Sequence, residues 1–266
     1  MVALFLFGPQ AFAQTRLENI DLCNGADRSS PEPQINGCTA LISAGKEGAH
    51  VLAIAYNNRG NAYAAKGEYD RAIEDYNESI KLETTYARPF NNRGAAYQRK
   101  KEYELAIRDF DEAIKLAPGF AEAFVNRAET YEKMYAYDRA VRDYDEAVRL
   151  EPKMAPAWNG RCWTRAILGQ LDTAVADCDK AIGLQPNDAA SFDSRGLAYL
   201  KMGRLGPAIE DYSTALRLDP KLASALYGRG LAKRRNGDTA AGDADITAAR
   251  LIEPTIGDAF GRYGVR

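Results

Sequence analysis

Small and apolar residues return along most of the chain with a period of thirty-four residues. In the first such stretch Tyr56, Gly60 and Tyr63 fall at i, i+4 and i+7, and Ala72, Tyr76 and Ser79 repeat that spacing, so each trio lies on one face of a helix. Gly67, between them, supplies a residue that tolerates positive φ and ends the first helix, a role repeated at Gly169, Gly203 and Gly237. Pro118, Pro152, Pro186, Pro220 and Pro254 stop the second helix of their units, with Thr84 at that place in the first. A step of thirty-four from Gly60 reaches Gly94, Ala128, Cys162, Gly196 and Gly230, and from Ala72 it reaches Ala106, Ala140, Ala174, Ala208 and Gly242. The pattern predicts six helix-turn-helix units at 53–86, 87–120, 121–154, 155–188, 189–222 and 223–256. Small residues let the two helices of a unit approach, and Tyr63 and Tyr76 fill the space on either side.

Two charged positions keep the same register without exception. Arg59, Arg93, Arg127, Arg161, Arg195 and Arg229 each precede an Asp by sixteen residues: Asp75, Asp109, Asp143, Asp177, Asp211 and Asp245. Both adjoin seam residues, where charge persists only when paired. A ligand site rarely needs six copies, whereas a packing element must recur in every unit. Leu41 stands where an Asp preceding the array would be and Tyr263 where an Arg following it would be, so the expected pairing is within units.

Outside the array the pattern weakens. Val2 to Phe7 is a short apolar run followed by Ala11-Phe12-Ala13, which reads as a signal peptide over 1–13 that lacks a basic n-region. Residues 14–52 form an N-terminal cap: Ser29-Ser30-Pro31-Glu32-Pro33 reads as a loop, and Ile35, Cys38, Leu41 and Ile42 as one helix of a capping half-repeat. Cys23 and Cys38 bracket that loop, and in an oxidising compartment a bridge between them would stabilise the cap by about 3 kcal/mol. Cys162 and Cys178 take the registers of Gly60 and Tyr76, so they face each other either as a disulfide or as two packed thiols. Residues 257–266 restart the template with Phe260 and amount to a short stub.

An aromatic, a small residue, Tyr, Ala, an aromatic and Pro at this period resemble the tetratricopeptide repeat family over about 53–256. Departures are Cys162 and Arg165 in the fourth unit and Lys233, Gly242 and Ile246 in the sixth. The resemblance implies an all-α, right-handed α-solenoid whose first helices line a concave, partner-binding face. The matching positions in units one to three are amide-rich, with Asn57, Asn61, Arg88, Asn91, Asn92 and Asn126, a set suited to an extended peptide backbone. Later units offer Trp163, Leu197, Tyr227 and Leu231, of which Trp163 and Tyr227 are the expected anchors of a partner. Asn57, Asn61, Asn92 and Asn126 also resemble part of the carboxylate clamp of co-chaperone members, but Glu122 stands where that clamp needs a cation.

Composition narrows the function further. The 35 basic and 37 acidic side chains leave a net charge of -2, which offers no phosphate-neutralising surface, so nucleic acid is not an expected partner. One histidine, His50, outside the repeats, leaves little for acid–base catalysis, and no Cys-x-x-Cys or Cys/His cluster suggests a metal. No cofactor and no membrane span are expected. The reading is a non-catalytic scaffold for a protein or peptide, periplasmic or secreted. Its rivals are an adaptor subunit of an enzyme or assembly complex, and a cytosolic form if the leader is not a signal. Mass spectrometry of the mature protein is expected to give an N-terminus at Gln14, and an intact Val2 counts against export.

Overall fold

A computed structural model of the chain describes residues 10–26 and 30–265. The leader expected over 1–13 lies outside the described residues as far as position 9, and Gln10 already opens the first helix. Among the described residues there are fifteen helices and no strand. None is long and apolar enough to cross a membrane. They fall into two compact units, divided after Asn126.

The first unit holds α1 (Gln10–Cys23), α2 (Pro31–Ala44), α3 (Ala49–Ala65), α4 (Tyr69–Leu82), α5 (Ala87–Arg99), α6 (Tyr103–Leu116) and the start of α7 (Ala121–Lys133). The remainder of α7 belongs to the second unit, with α8 (Tyr137–Leu150), α9 (Ala155–Ile167), α10 (Leu171–Leu184), α11 (Ala189–Lys201), α12 (Leu205–Leu218), α13 (Ala223–Arg235), α14 (Thr239–Ile252) and α15 (Ile256–Arg262). Each unit is a run of antiparallel helix pairs. First helices pack on first helices, α3 on α5 in one unit, α9 on α11 and α11 on α13 in the other. Second helices make no such approach to one another among the described residues, so in each unit the first helices form the inner side of the stack.

The seam joins a glycine to a ring. A Cβ added at Gly60 would lie 2.6 Å from Tyr76, at Gly94 2.7 Å from Phe110, and at Gly196 2.9 Å from Tyr212. These rings are buried, and filling that space removes the contacts a void would forfeit. Second helices end two residues before each proline, as at Leu150 ahead of Pro152. Glu151 there has left the helical region (φ -128°, ψ 82°), because the ring of the following proline clashes with a helical predecessor. The first turn in two units lacks glycine, and Lys101 (φ 64°) and Tyr135 (φ 60°) take the left-handed conformation at a cost of about 1 kcal/mol or more.

The cap holds two helices where the pattern indicated one. Gln10–Cys23 was not legible as α1, and α2 begins at Pro31, inside the stretch expected to be a loop. The first four N–H groups of a helix have no intrahelical acceptor, so proline at Pro31 and Pro33 forfeits nothing. Cys23 and Cys38 are bridged, with Cα atoms 4.5 Å apart, and pack with Leu41 and Ala55. Cys162 and Cys178 are bridged across α9 and α10, Cα atoms 5.4 Å apart, replacing the glycine–ring pair.

Every invariant Arg meets its own unit's Asp through two parallel hydrogen bonds. In the first, Arg59 donates from Nε (2.8 Å) and Nη2 (2.7 Å) to Asp75; the other five repeat this within 2.6–2.9 Å. The third donor, Nη1, reaches back to the preceding hairpin: Thr39 for Arg59, Asn77 for Arg93, Asp145 for Arg161, Asp179 for Arg195 and Ser213 for Arg229. Asp75→Asn is expected to lower stability by about 3 kcal/mol in a denaturant titration, because a largely buried guanidinium loses its counter-ion. A midpoint matching that of the unchanged protein would show the fork to be dispensable.

Candidate functional site

The inner faces of the two units differ. On the first, the amides bond to one another: Asn92 Nδ2 donates to Asn57 Oδ1 and Asn61 Oδ1, both at 2.9 Å, and Asn126 Nδ2 donates to Asn91 Oδ1 at 2.9 Å. Asn61 Oδ1 also accepts from the Tyr76 hydroxyl at 2.8 Å. Spacing of thirty-five residues places a donor of one first helix opposite an acceptor of the one before it, forming rungs between neighbouring helices.

Two amides expected to face a partner are therefore taken up inside the stack: Asn57 is 2% and Asn91 1% exposed. Burial on this scale is maintained because each has an amide partner. Asn61 and Arg88 stay exposed, and Asn92 and Asn126 are partly so. A recess of about 470 Å³ lies beside the rungs, lined by Asn61, Tyr69, Tyr76, Asn92 and Arg99.

The second unit carries the larger apolar surface. Trp163, on α9, is partly exposed and lies between two recesses. One, about 420 Å³, is walled by Glu129, Glu132, Tyr144, Asn159, Gly160 and Asp188. The other, about 210 Å³, is walled by Asp193, Leu197, Ser224, Ile256, Phe260 and Tyr263. Tyr227, expected on the open face, is 8% exposed: its ring lies 4.8 Å from that of Phe260, so α15 consumes it in packing. Leu197 is likewise buried.

Asn159, Asp193 and Lys201 here escaped the sequence reading. Asn159 and Asp193 occupy the register of Asn57 and Asn91, a signal present in the period. The buried Asn159 Oδ1 has no hydrogen-bond donor, since the rung continues to Ser194 without a bond. Asp193 accepts from the Ser224 hydroxyl at 2.7 Å, and burial pushes its carboxyl up to about 7. Glu132 accepts from the Thr164 hydroxyl at 2.5 Å; burial pushes it up to about 7 against that bond, with Glu129 adding to the rise. Lys201, with its pKa lowered by burial, donates to the Ile167 and Tyr263 carbonyls, both at 2.8 Å.

This set is one of hydrogen-bond donors, acceptors and ring faces. His50 contacts Glu83 at 2.7 Å on the exposed edge of the first unit, far in sequence from any nucleophile arrangement. Among the described residues no group of three His, Cys, Asp or Glu is placed to hold a metal ion.

A stack of helix hairpins with an inner face of first helices defines a helical repeat protein. The signature described as TPR repeat matches residues 60–101 and 196–237, and that described as tetratricopeptide repeat matches 87–120 and 136–189. The chain belongs to the tetratricopeptide repeat family. No curated protein matches the sequence. Among solved structures it is similar to a tetratricopeptide repeat protein from Parabacteroides merdae ATCC 43184, with 18% identity over 96% of this chain and 99% of that one and a TM-score of 0.69. It is similar also to Pseudomonas aeruginosa pilF (16% identity, 81% and 99% of the chains, TM-score 0.68). A third is YrrB, described as a TPR protein with an unusual peptide-binding site (20% identity, 71% and 99% of the chains, TM-score 0.55). At these identities the likeness concerns the fold.

The two raised carboxyls fix a sign for pH dependence. Both have folded pKa values near 7, against about 4 in an unfolded chain. Their contribution is therefore full below about pH 4 and lost as pH rises through about 7. Paired urea titrations at pH 5 and pH 8 are expected to show a smaller loss of stability on raising pH in Glu132→Gln and in Asp193→Asn than in the unchanged protein.

Proposed function

We propose that this chain is a non-catalytic scaffold that holds a peptide or protein segment against the first helices, with Trp163 in the second unit as the principal anchor. The observation that carries this reading is a partly exposed tryptophan between two recesses, beside the partnerless acceptor Asn159 Oδ1. Tryptophan in such a setting concentrates binding energy, because its face excludes water while neighbouring polar groups orient the partner. Asn61, Asn92, Arg88 and Asn126 give the first unit a more polar surface that suits backbone groups of an extended segment. YrrB, similar in fold, is described as having an unusual peptide-binding site, which supports the analogy.

The cysteines support a compartment for this scaffold. All four form two bridges, a state that glutathione opposes in the cytosol, which favours an oxidising setting, periplasmic or secreted. The same scaffold could serve as the adaptor of a larger assembly there, its partner supplying any catalysis.

Affinity capture from an extract of the source cells, run with the unchanged protein and with Trp163→Ala, tests the anchor. A partner that loses at least about tenfold in recovery, the loss of roughly 1.4 kcal/mol, is the expected result. An identical partner set at identical recovery removes Trp163 from the binding surface.

A further inference from the structure

The helix after the last full unit does not merely continue the stack. Phe260 stands in the register of Tyr56, Phe90, Phe124, Trp158, Phe192 and Leu226, the leading large apolar residue of each first helix. Yet α15 is seven residues long and, besides packing on α13 and α14, it reaches back over earlier hairpins of the second unit. The Tyr263 ring meets Trp163 of α9 edge to face at 4.9 Å, and the Tyr263 carbonyl accepts from Lys201 at the end of α11. Arg262 lies 5.7 Å from the ring of Tyr135, a residue that is 60% exposed and held at positive φ. A helix that only covered α13 and α14 needs none of these three contacts.

The segment has little stability of its own. Seven residues are far below the length at which an isolated helix persists in water, and Gly257 and Gly261 weaken it further. Its order depends on docking: Ile256, Phe260 and Val265 are buried, whereas Asp258, Gly261 and Arg262 face outward. Elements of this kind open well before the body that holds them. What the segment covers is Trp163, under the Tyr263 ring, and its Ile256, Phe260 and Tyr263 form one wall of the recess there.

We propose that residues 256–265 are a built-in, displaceable occupant of the Trp163 groove, and that the groove's partner is a short helix with the same chemistry. That chemistry is an aliphatic residue four before an aromatic, a second aromatic three after it, and a carbonyl at the last turn for Lys201, as Ile256, Phe260 and Tyr263 provide. The proposal rests on the reading of Trp163 as an anchor and adds to it the class of ligand and an internal competitor. While the segment is docked, an external helix sees only the fraction of molecules in which it has opened, and the apparent affinity falls by that fraction.

The test uses the full chain and a fluorescein-labelled synthetic peptide of residues 254–266, followed by anisotropy. Phe260→Ala combined with Tyr263→Ala releases the segment without touching the array. The released protein is expected to bind the peptide about tenfold or more tightly than the unchanged protein. Adding Trp163→Ala is expected to abolish that gain. A released protein with unchanged helical circular dichroism that binds the peptide no better than the unchanged protein overturns the proposal.

If the double variant unfolds, hydrogen exchange on the unchanged protein decides. Amides of 256–265 exchanging at least about a hundredfold faster than those of α13 support the opening, and equal protection overturns it. Peptide capture by the released chain, alongside a natural partner set indifferent to Trp163→Ala, would sink the reading of Trp163 as anchor for that partner while leaving the internal occupant in place. Loss of the natural partner with no peptide capture would do the reverse.

Discussion

The fork between arginine and aspartate is what the stack rests on. A guanidinium has five N–H donors in fixed directions, and here two close on a carboxylate of the same hairpin while a third closes on the hairpin before it. One side chain thus sets both the spacing of the two helices in a unit and the offset between units. A lysine has the charge but not the fork, and would hold one of these relations at a time. Because both partners are nearly buried, the desolvation of the two charges cancels much of their attraction.

Where the template changes, the replacements are coupled. The fourth unit gives up the glycine–ring seam for Cys162–Cys178 and gives up the tyrosine register for Arg165, which donates to Asp177 at 2.7 Å and Asp145 at 3.0 Å. Arg161 and Arg165 therefore share two carboxylates, and the covalent bridge stands beside a doubled ion pair. In the sixth unit Lys233 takes the same register and adds itself to Asp245 at 2.9 Å. Each cation that replaces the ring bonds to the fork aspartate of its own unit. Trp163, next to Cys162, thus stands on the most heavily cross-linked hairpin of the chain.

Much of the fold was legible because the information is periodic. The helices, the small-to-large seam and the stops ahead of Pro118 through Pro254 follow from local chemistry repeated in register, and the fork from two charges that never vary. The acceptors of the third donor, Asn77, Asp145, Asp179 and Ser213, share a register too, but their identity varies and hid the link. The amides were harder. Whether Asn57 points at a partner or at Asn92 depends on how one first helix is offset from the next, a relation that no single helix contains. The path of the last segment was not legible at all: Phe260 in register suggested a continuation, while Trp163, Lys201 and Tyr227, which capture it, are remote in sequence. Proline at Pro31 and Pro33 misled in the other direction, reading as a loop although the first turn of a helix accepts it.

The rearward reach of each arginine has one more consequence. Within the second unit, hairpins 155–188 and 189–222 each offer the hairpin before a guanidinium, and every bond closing the hairpin itself, the disulfide of the fourth included, has both ends within thirty-four residues. Residues 155–188 could be lifted out whole, and Arg195 would then find Asp145 where it now finds Asp179. The chain is made of interchangeable parts with matching couplings, so its length is open to change by duplication or loss of a unit without any single bond having to be reinvented.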